Sequence, residues 1–171
     1  MKPVVFGLGA SLGDQVRSLR LAVAALSATP EIRVERVSRA VVSRGIGRAK
    51  GPFLNAAVRA HTSLEGLALL DRCKSIEVRL GRQPTLRWGD RAIDIDILLL
   101  GDQTIQLPRL MVPHVAFLER PFALEPAREV APDWRHPVEG KRLRYLSAQG
   151  RTAIWRGPGL GGRLAGIRWV R

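Results

Sequence analysis

The chain has 171 residues, 46% of them hydrophobic and 25% charged, the balance of a globular domain with a core of its own. It carries 28 Lys and Arg against 15 Asp and Glu, and its formal charge of +13 suits an anionic partner: nucleic acid, a membrane surface or a polyphosphate. One cysteine, Cys73, excludes an internal disulfide, three histidines are too few for a structural zinc site, and no apolar run reaches the roughly 20 residues that cross a bilayer.

Residues 3–10 predict a first strand. The opening Met1-Lys2-Pro3-Val4-Val5-Phe6 lacks the long apolar stretch of a signal peptide, and with the single cysteine this points to the cytoplasm. Gly7, Gly9 and Gly13 surround the end of that strand. Asp14 can cap a following helix, in which Leu19, Val23 and Leu26 (after Leu12 and Val16) keep helical spacing to about Ala28, before Pro30. Residues 32–42 are β-branched, with an irregularity expected near Ser38. Gly45, Gly47, Lys50, Gly51 and Pro52 mark a loop, and residues 53–61 resume a strand. Ser63 is expected to cap a second helix that buries Leu64, Leu67, Leu70 and Ile76. Residues 81–89 form an arginine-rich loop before a strongly apolar strand, and Gly101-Asp102 predicts a hairpin into Thr104-Ile105. Beyond Pro108 come short segments punctuated by Pro113, Pro121, Pro126, Pro132 and Pro137.

This order is strand, helix, strand, strand, helix, strand. It predicts an α+β fold of the ferredoxin-like βαββαβ kind over residues 1–150, an antiparallel sheet with both helices on one face. The tail 151–171 is rich in glycine and arginine but keeps Ile154, Trp155, Ile167, Trp169 and Val170, so it is expected to dock as a C-terminal extension.

The most informative stretch is Arg91-Ala92-Ile93-Asp94-Ile95-Asp96-Ile97-Leu98-Leu99-Leu100. In a strand, Ile93, Ile95 and Ile97 share the face that wants a core, while Asp94 and Asp96 stand together on the other. Two neighbouring carboxylates repel, and burying them uncompensated is costly. A hard cation such as Mg²⁺ removes that cost by binding both. The competing reading is a pair of solvated aspartates on an edge strand. The apolar character of the strand and the arginines before it weigh toward the site.

The run Gly81-Arg82, Arg87-Trp88-Gly89-Asp90-Arg91-Ala92-Ile93-Asp94-Ile95-Asp96-Ile97-Leu98, then Val112-Pro113-His114 and Arg120-Pro121-Phe122, resembles the 6-hydroxymethyl-7,8-dihydropterin pyrophosphokinase family of folate biosynthesis. Leu8-Gly9-Ala10-Ser11-Leu12-Gly13, Phe53-Leu54-Asn55-Ala56-Ala57-Val58, Pro126 and Glu129-Val130-Ala131-Pro132 extend the match over roughly residues 3–147. The resemblance implies transfer of a pyrophosphoryl group from ATP to the hydroxymethyl group of a reduced pterin, with AMP as the second product. It implies that Asp94 and Asp96 hold two Mg²⁺ ions and that Arg82 and Arg91 assist catalysis. It places Glu77, Arg87, Trp88, Arg91, Arg109, His114 and Arg120 on the ATP side. It places Phe53, Asn55, Phe122 and Asp94 on the pterin side. A guanidinium fork fits phosphate oxygens, two aromatic faces fit a flat heterocycle, and an amide fits its donor–acceptor edge. A monomer is expected, with ATP and the pterin as partners and no membrane.

The match is uneven. Ala10-Ser11 stands where the family commonly has Ser-Asn, and Ser43-Arg44-Gly45-Ile46-Gly47-Arg48 where a Thr-Pro-Pro-type loop lines the pterin. Residues 83–86 lack a frequent arginine, Lys74 replaces a common glutamine, Met111 a threonine and Val115 a tyrosine. The alternatives are therefore a diverged relative with another acceptor or none, and a basic RNA-binding module of the same fold. The aromatics of the chain are few for the second, and Asp94 and Asp96 would repel phosphates without a metal.

Overall fold

The structure, a computed structural model, describes residues 1–44, 51–83, 91–161 and 166–170. Strand β1 (Lys2–Ala10) leads through Asp14, whose carboxylate accepts the Arg17 backbone N–H at 3.0 Å, into helix α1 (Gln15–Ser27). This is the expected cap, and Leu19, Ala22, Val23 and Leu26 form the buried face at helical spacing. Strands β2 (Ile32–Val37) and β3 (Val41–Ser43) are the two halves of the β-branched stretch, broken at Ser38 as its composition suggests. There the Ser38 backbone N–H donates to Ala57 O at 2.9 Å and its Oγ accepts from Ala57 N at 2.8 Å, so a side chain completes the ladder.

Strand β4 (Phe53–Thr62) precedes helix α2 (Gly66–Arg79). Ser63 does not cap α2. Glu65 holds the N-cap position without a side-chain cap bond and pairs instead with Lys2 at 2.6 Å. Gly66 packs closely: a Cβ there would lie 2.8 Å from the end of the Ile105 side chain and 3.0 Å from that of Leu110, which would have to shift. Cys73 faces the core, where burial pushes its thiol up to about 12.

Strand β5 (Asp94–Leu100) is followed by a turn at Gly101, but the predicted hairpin does not form. Strands β6 (Ile105–Leu107) and β7 (Leu110–Val112) pair with each other in a separate two-stranded sheet. The outer edge of β5 is already taken: Glu77 accepts the Ile95 N–H at 2.6 Å, and the His114 N–H donates to Leu98 O at 3.0 Å. Helix α3 (Pro121–Val130) was hidden in the sequence by Pro126, which stands inside it. Pro121 starts it at a position where proline is favoured, and Leu124, Ala127 and Val130 bury a full stripe that outweighs one missing backbone bond.

Among the described residues the main sheet runs β5-β1-β4-β2, and each of these neighbours is antiparallel. Strand β8 (Ile154–Arg156) adds to β3. Strand β9 (Arg168–Trp169) runs parallel to β2, so the expectation of a wholly antiparallel sheet is corrected at this edge. Phe6, Leu8, Val58, Ile95 and Ile97 pack with α1 and α2 on one face. Val5, Ala57, Leu98 and Phe117 pack with α3 on the other, so the two expected helices share one face and a third, unexpected helix covers the opposite one. Among the described residues no helix is long and apolar enough to cross a membrane.

Candidate active site

A cavity opens on the α3 side of the sheet, where β1, β4 and β5 run past the start of that helix. Strand register builds it. Asp94 faces Gly9, which faces Asn55; Asp96 faces Gly7, which faces Ala57. Directly paired residues point to the same side, so two carboxylates and one amide flank a floor of glycines, Asp94 and Asn55 being roughly 10 Å apart across two strand spacings. A Cβ on Gly9 would project between the Asn55 amide (3.4 Å) and the Phe53 ring (3.9 Å), into the cavity itself. Phe53, Phe122, His114, Arg91 and Arg120 complete the predicted residues in the lining, and Arg120 lies over the Phe122 ring at 5.8 Å.

The two carboxylates are treated unequally. Asp94 accepts from Arg82 Nη1 at 2.6 Å, pairs with Arg91 and has Lys74 Nζ at 3.6 Å. Burial alone would raise its pKa, but the Lys74, Arg91 and Arg82 charges outweigh it and hold Asp94 below the ordinary value. Asp96 has His114 Nε2 at 3.9 Å, a contact that becomes an ion pair only when the imidazole is protonated. His114 Nδ1 accepts the Ala116 N–H at 3.2 Å, which leaves the ring proton on Nε2, toward Asp96. Burial first and Asp94 second push Asp96 from 3.8 up to about 6. Burial, then the Arg120 charge, lowers His114.

This donor set fits Mg²⁺. Among the described residues no third His, Cys, Asp or Glu joins the pair, and Mg²⁺ takes one or two carboxylates while phosphate oxygens and water fill its octahedron. The raised Asp96 marks a negative site that a cation would relieve. The proton and the metal then compete for Asp96. Titration calorimetry of Mg²⁺-nucleotide should show affinity level above about pH 6 and falling about tenfold per unit below it, where binding releases the Asp96 proton. The sign for folding is the opposite of the usual carboxylate. A pKa raised from 3.8 stabilises the metal-free fold below about pH 4, and that contribution is lost as pH rises through about 6. Affinity independent of pH across 5–7 would remove Asp96 from the metal site.

Glu77 is not in the lining. Its side chain is 1% exposed and accepts from Lys74 Nζ at 2.9 Å, from Ile95 N at 2.6 Å and from Arg82. It ties α2 to the edge of β5 and aims Arg82 at Asp94. Burial raises its pKa against the pull of Lys74. Arg109 is also elsewhere, at the β6–β7 turn, exposed and paired with Asp71 at 2.5 Å. Arg87 and Trp88 lie outside the described residues. The sequence marks Ser43 and Arg44 as the altered start of the pterin-lining loop and Lys74 as a replaced glutamine, but it does not single out the glycine floor as part of the site. Only the i, i+2 spacing of Gly7 and Gly9, matching that of the aspartates, signals the floor in advance.

With this geometry in place, the comparisons with known proteins are specific. Residues 5–132 match the 7,8-dihydro-6-hydroxymethylpterin-pyrophosphokinase family, and the chain belongs to it. It is 40% identical over 146 residues to the 2-amino-4-hydroxy-6-hydroxymethyldihydropteridine pyrophosphokinase of Pseudomonas aeruginosa, covering 85% of this chain and 90% of that one. The enzyme of the same name from Bacillus subtilis is 40% identical over 150 residues, covering 87% of each. Among solved structures, the fold resembles an HPPK-DHPS chain determined in complex with substrates (TM-score 0.66, 13% identity), which matches 84% of this chain but 42% of that longer one. The wild-type Plasmodium falciparum HPPK-DHPS structure with SDX-DHP gives a TM-score of 0.64 at 16% identity, again over 84% of this chain and 42% of that one.

Proposed function

We propose that this chain transfers the pyrophosphoryl group of ATP to the hydroxymethyl group of 6-hydroxymethyl-7,8-dihydropterin in folate biosynthesis. The observation that carries the reading is the glycine floor, with Asp94 and Asp96 at one end, Phe53 and Asn55 at the other and Phe122 in the same lining. The acceptor oxygen bonds to the β-phosphorus of ATP. The bond from that phosphorus to the oxygen bridging to the α-phosphate breaks, AMP leaves and the hydroxyl proton is released. Arg91, Arg120 and His114 hold phosphate oxygens, and Arg82 is positioned to join them from Asp94. Asp94 and Asp96 hold two Mg²⁺ ions, which when bound offset the charge of the transferring group. Phe53 and Phe122 hold the pterin ring flat over Gly7 and Gly9, with Asn55 at its edge. Glu77, buried, serves the nucleotide through Arg82 and not by contact.

The strand order β5-β1-β4-β2 supports a ferredoxin-like core in residues 1–150, with 151–171 as a docked extension. The single buried, unpaired cysteine fits a reducing compartment such as the cytoplasm. Helix α3 covers the sheet face on which an RNA-binding module would stack bases, which leaves that alternative little surface. The test is incubation with ATP, Mg²⁺ and the pterin. AMP and the pterin diphosphate should form in equal amounts, and ATP consumption without a pterin product would refute the acceptor.

A second measurement separates the two substrates. Phe122→Ala should weaken pterin binding at least tenfold, since an aromatic contact is worth about 0.5–1.5 kcal/mol beyond its burial and tenfold is about 1.4 kcal/mol. Binding of Mg²⁺-ATP alone should stay nearly unchanged. The reverse pattern in calorimetry would mean that the substrates occupy opposite ends from those assigned.

A further inference from the structure

Arg44 stands at the β3 end of the cavity, next to Ser43 and Asn55 and on the far side of β4 and β1 from the carboxylates. Among the described residues it has no carboxylate partner, whereas Arg91 is committed to Asp94. Its guanidinium lies instead against the ring of Trp155, 5.9 Å from the centroid. Trp155 belongs to β8, beyond residues 5–132 that carry the family match, and pairs with Val42 in register with β3. Gly157 N–H donates to Ala40 O at 3.0 Å and fixes the strand's exit. A Cβ on Gly157 would lie 2.9 Å from Leu54 and 3.0 Å from Ala40 O, so this seat is fitted closely.

We propose that Arg44, held by Trp155 of the C-terminal extension, is an acceptor-specificity residue that donates to the ring-carbonyl edge of a flat lactam heterocycle. The inference rests on the acceptor reading above and deepens it. Asn55 Nδ2 is spent on Ser43 Oγ at 2.9 Å, so its Oδ1 is the acceptor offered at this end. A lactam edge presents an N–H beside a C=O. Asn55 Oδ1 meets the first, and an arginine fork meets the second. Stacking on Trp155 restricts the arginine to an edge-on presentation and lowers the ordering it loses on binding. The contact reaches this site only because the tail adds a strand outside β3.

Calorimetry with 6-hydroxymethyl-7,8-dihydropterin, in the presence of Mg²⁺ and a non-hydrolysable ATP analogue, tests this in the full chain. R44A should weaken pterin binding about tenfold or more, and W155A about threefold to fivefold. W155F should restore most of the loss, because a phenyl ring keeps a face for the Arg44 guanidinium. Binding of the Mg²⁺-ATP analogue alone should stay within about twofold in all three. Unchanged pterin affinity in R44A, or an equal fall in nucleotide affinity, overturns the inference. Absence of pterin binding by the wild-type chain overturns the acceptor reading and the inference with it, whereas wild-type binding that R44A leaves intact overturns the inference alone.

Discussion

Asp96→Ala should lower kcat by about a thousandfold or more while leaving the ligand-free protein as stable as before, or slightly more stable. The catalytic loss follows from the proposed metal role, because the bound cation supplies much of the charge stabilisation that phosphoryl transfer needs. The stability result follows from geometry. Asp96 is a carboxylate pushed up to about 6 by burial and by Asp94, and removing it removes that conflict. Asp94→Ala should cost as much turnover but behave differently in the fold. It takes the carboxylate from Arg91 and one of two from Arg82 and Lys74, which keep Glu77, and a partly buried cation without its partner costs about 1–3 kcal/mol. Urea denaturation beside steady-state kinetics checks both. Near-normal turnover in either variant would end the metal assignment, and equal stabilities would end the asymmetry between the two residues.

Glu77→Ala is expected to be the most destabilising change at the site, by about 3 kcal/mol. It strips the acceptor from the edge N–H of Ile95 and releases Arg82 and Lys74 from a side chain that is 1% exposed. Turnover of the folded fraction should also fall, because Arg82 loses the group that aims it. Glu77→Gln keeps an oxygen for Ile95 and removes the charge, so it should recover much of the stability and little of the rate. The comparison of denaturation midpoints with kcat and the KM for ATP is decisive. A Glu77→Gln enzyme with normal kcat would confine Glu77 to holding the strand.

What the sequence determined by itself is what depends on short spacing. Alternation in residues 93–97 put the isoleucines in the core and the aspartates on the opposite face, and helical spacing with Asp14 defined α1. The order of motifs pointed to the family and named half of the lining. What only the tertiary structure decided depends on contacts between distant segments. Helix α3 runs through Pro126 because Leu124, Ala127 and Val130 have a sheet face to bury against, and no local signal carries that energy. The strand after Gly101 turns away because Glu77 and His114 already occupy the edge it would have joined. Asp94 and Asp96 are chemically identical and two residues apart. One is held low because Lys74 on α2, Arg82 just beyond it and Arg91 pair with it directly, and the other is pushed to about 6 because burial and the Asp94 charge outweigh the more distant pull of Lys74, Arg120 and Arg91. A carboxylate's pKa is set by the charges and solvent within a few ångströms. A sequence states which residues exist, and only the folded chain states which of them stand that close.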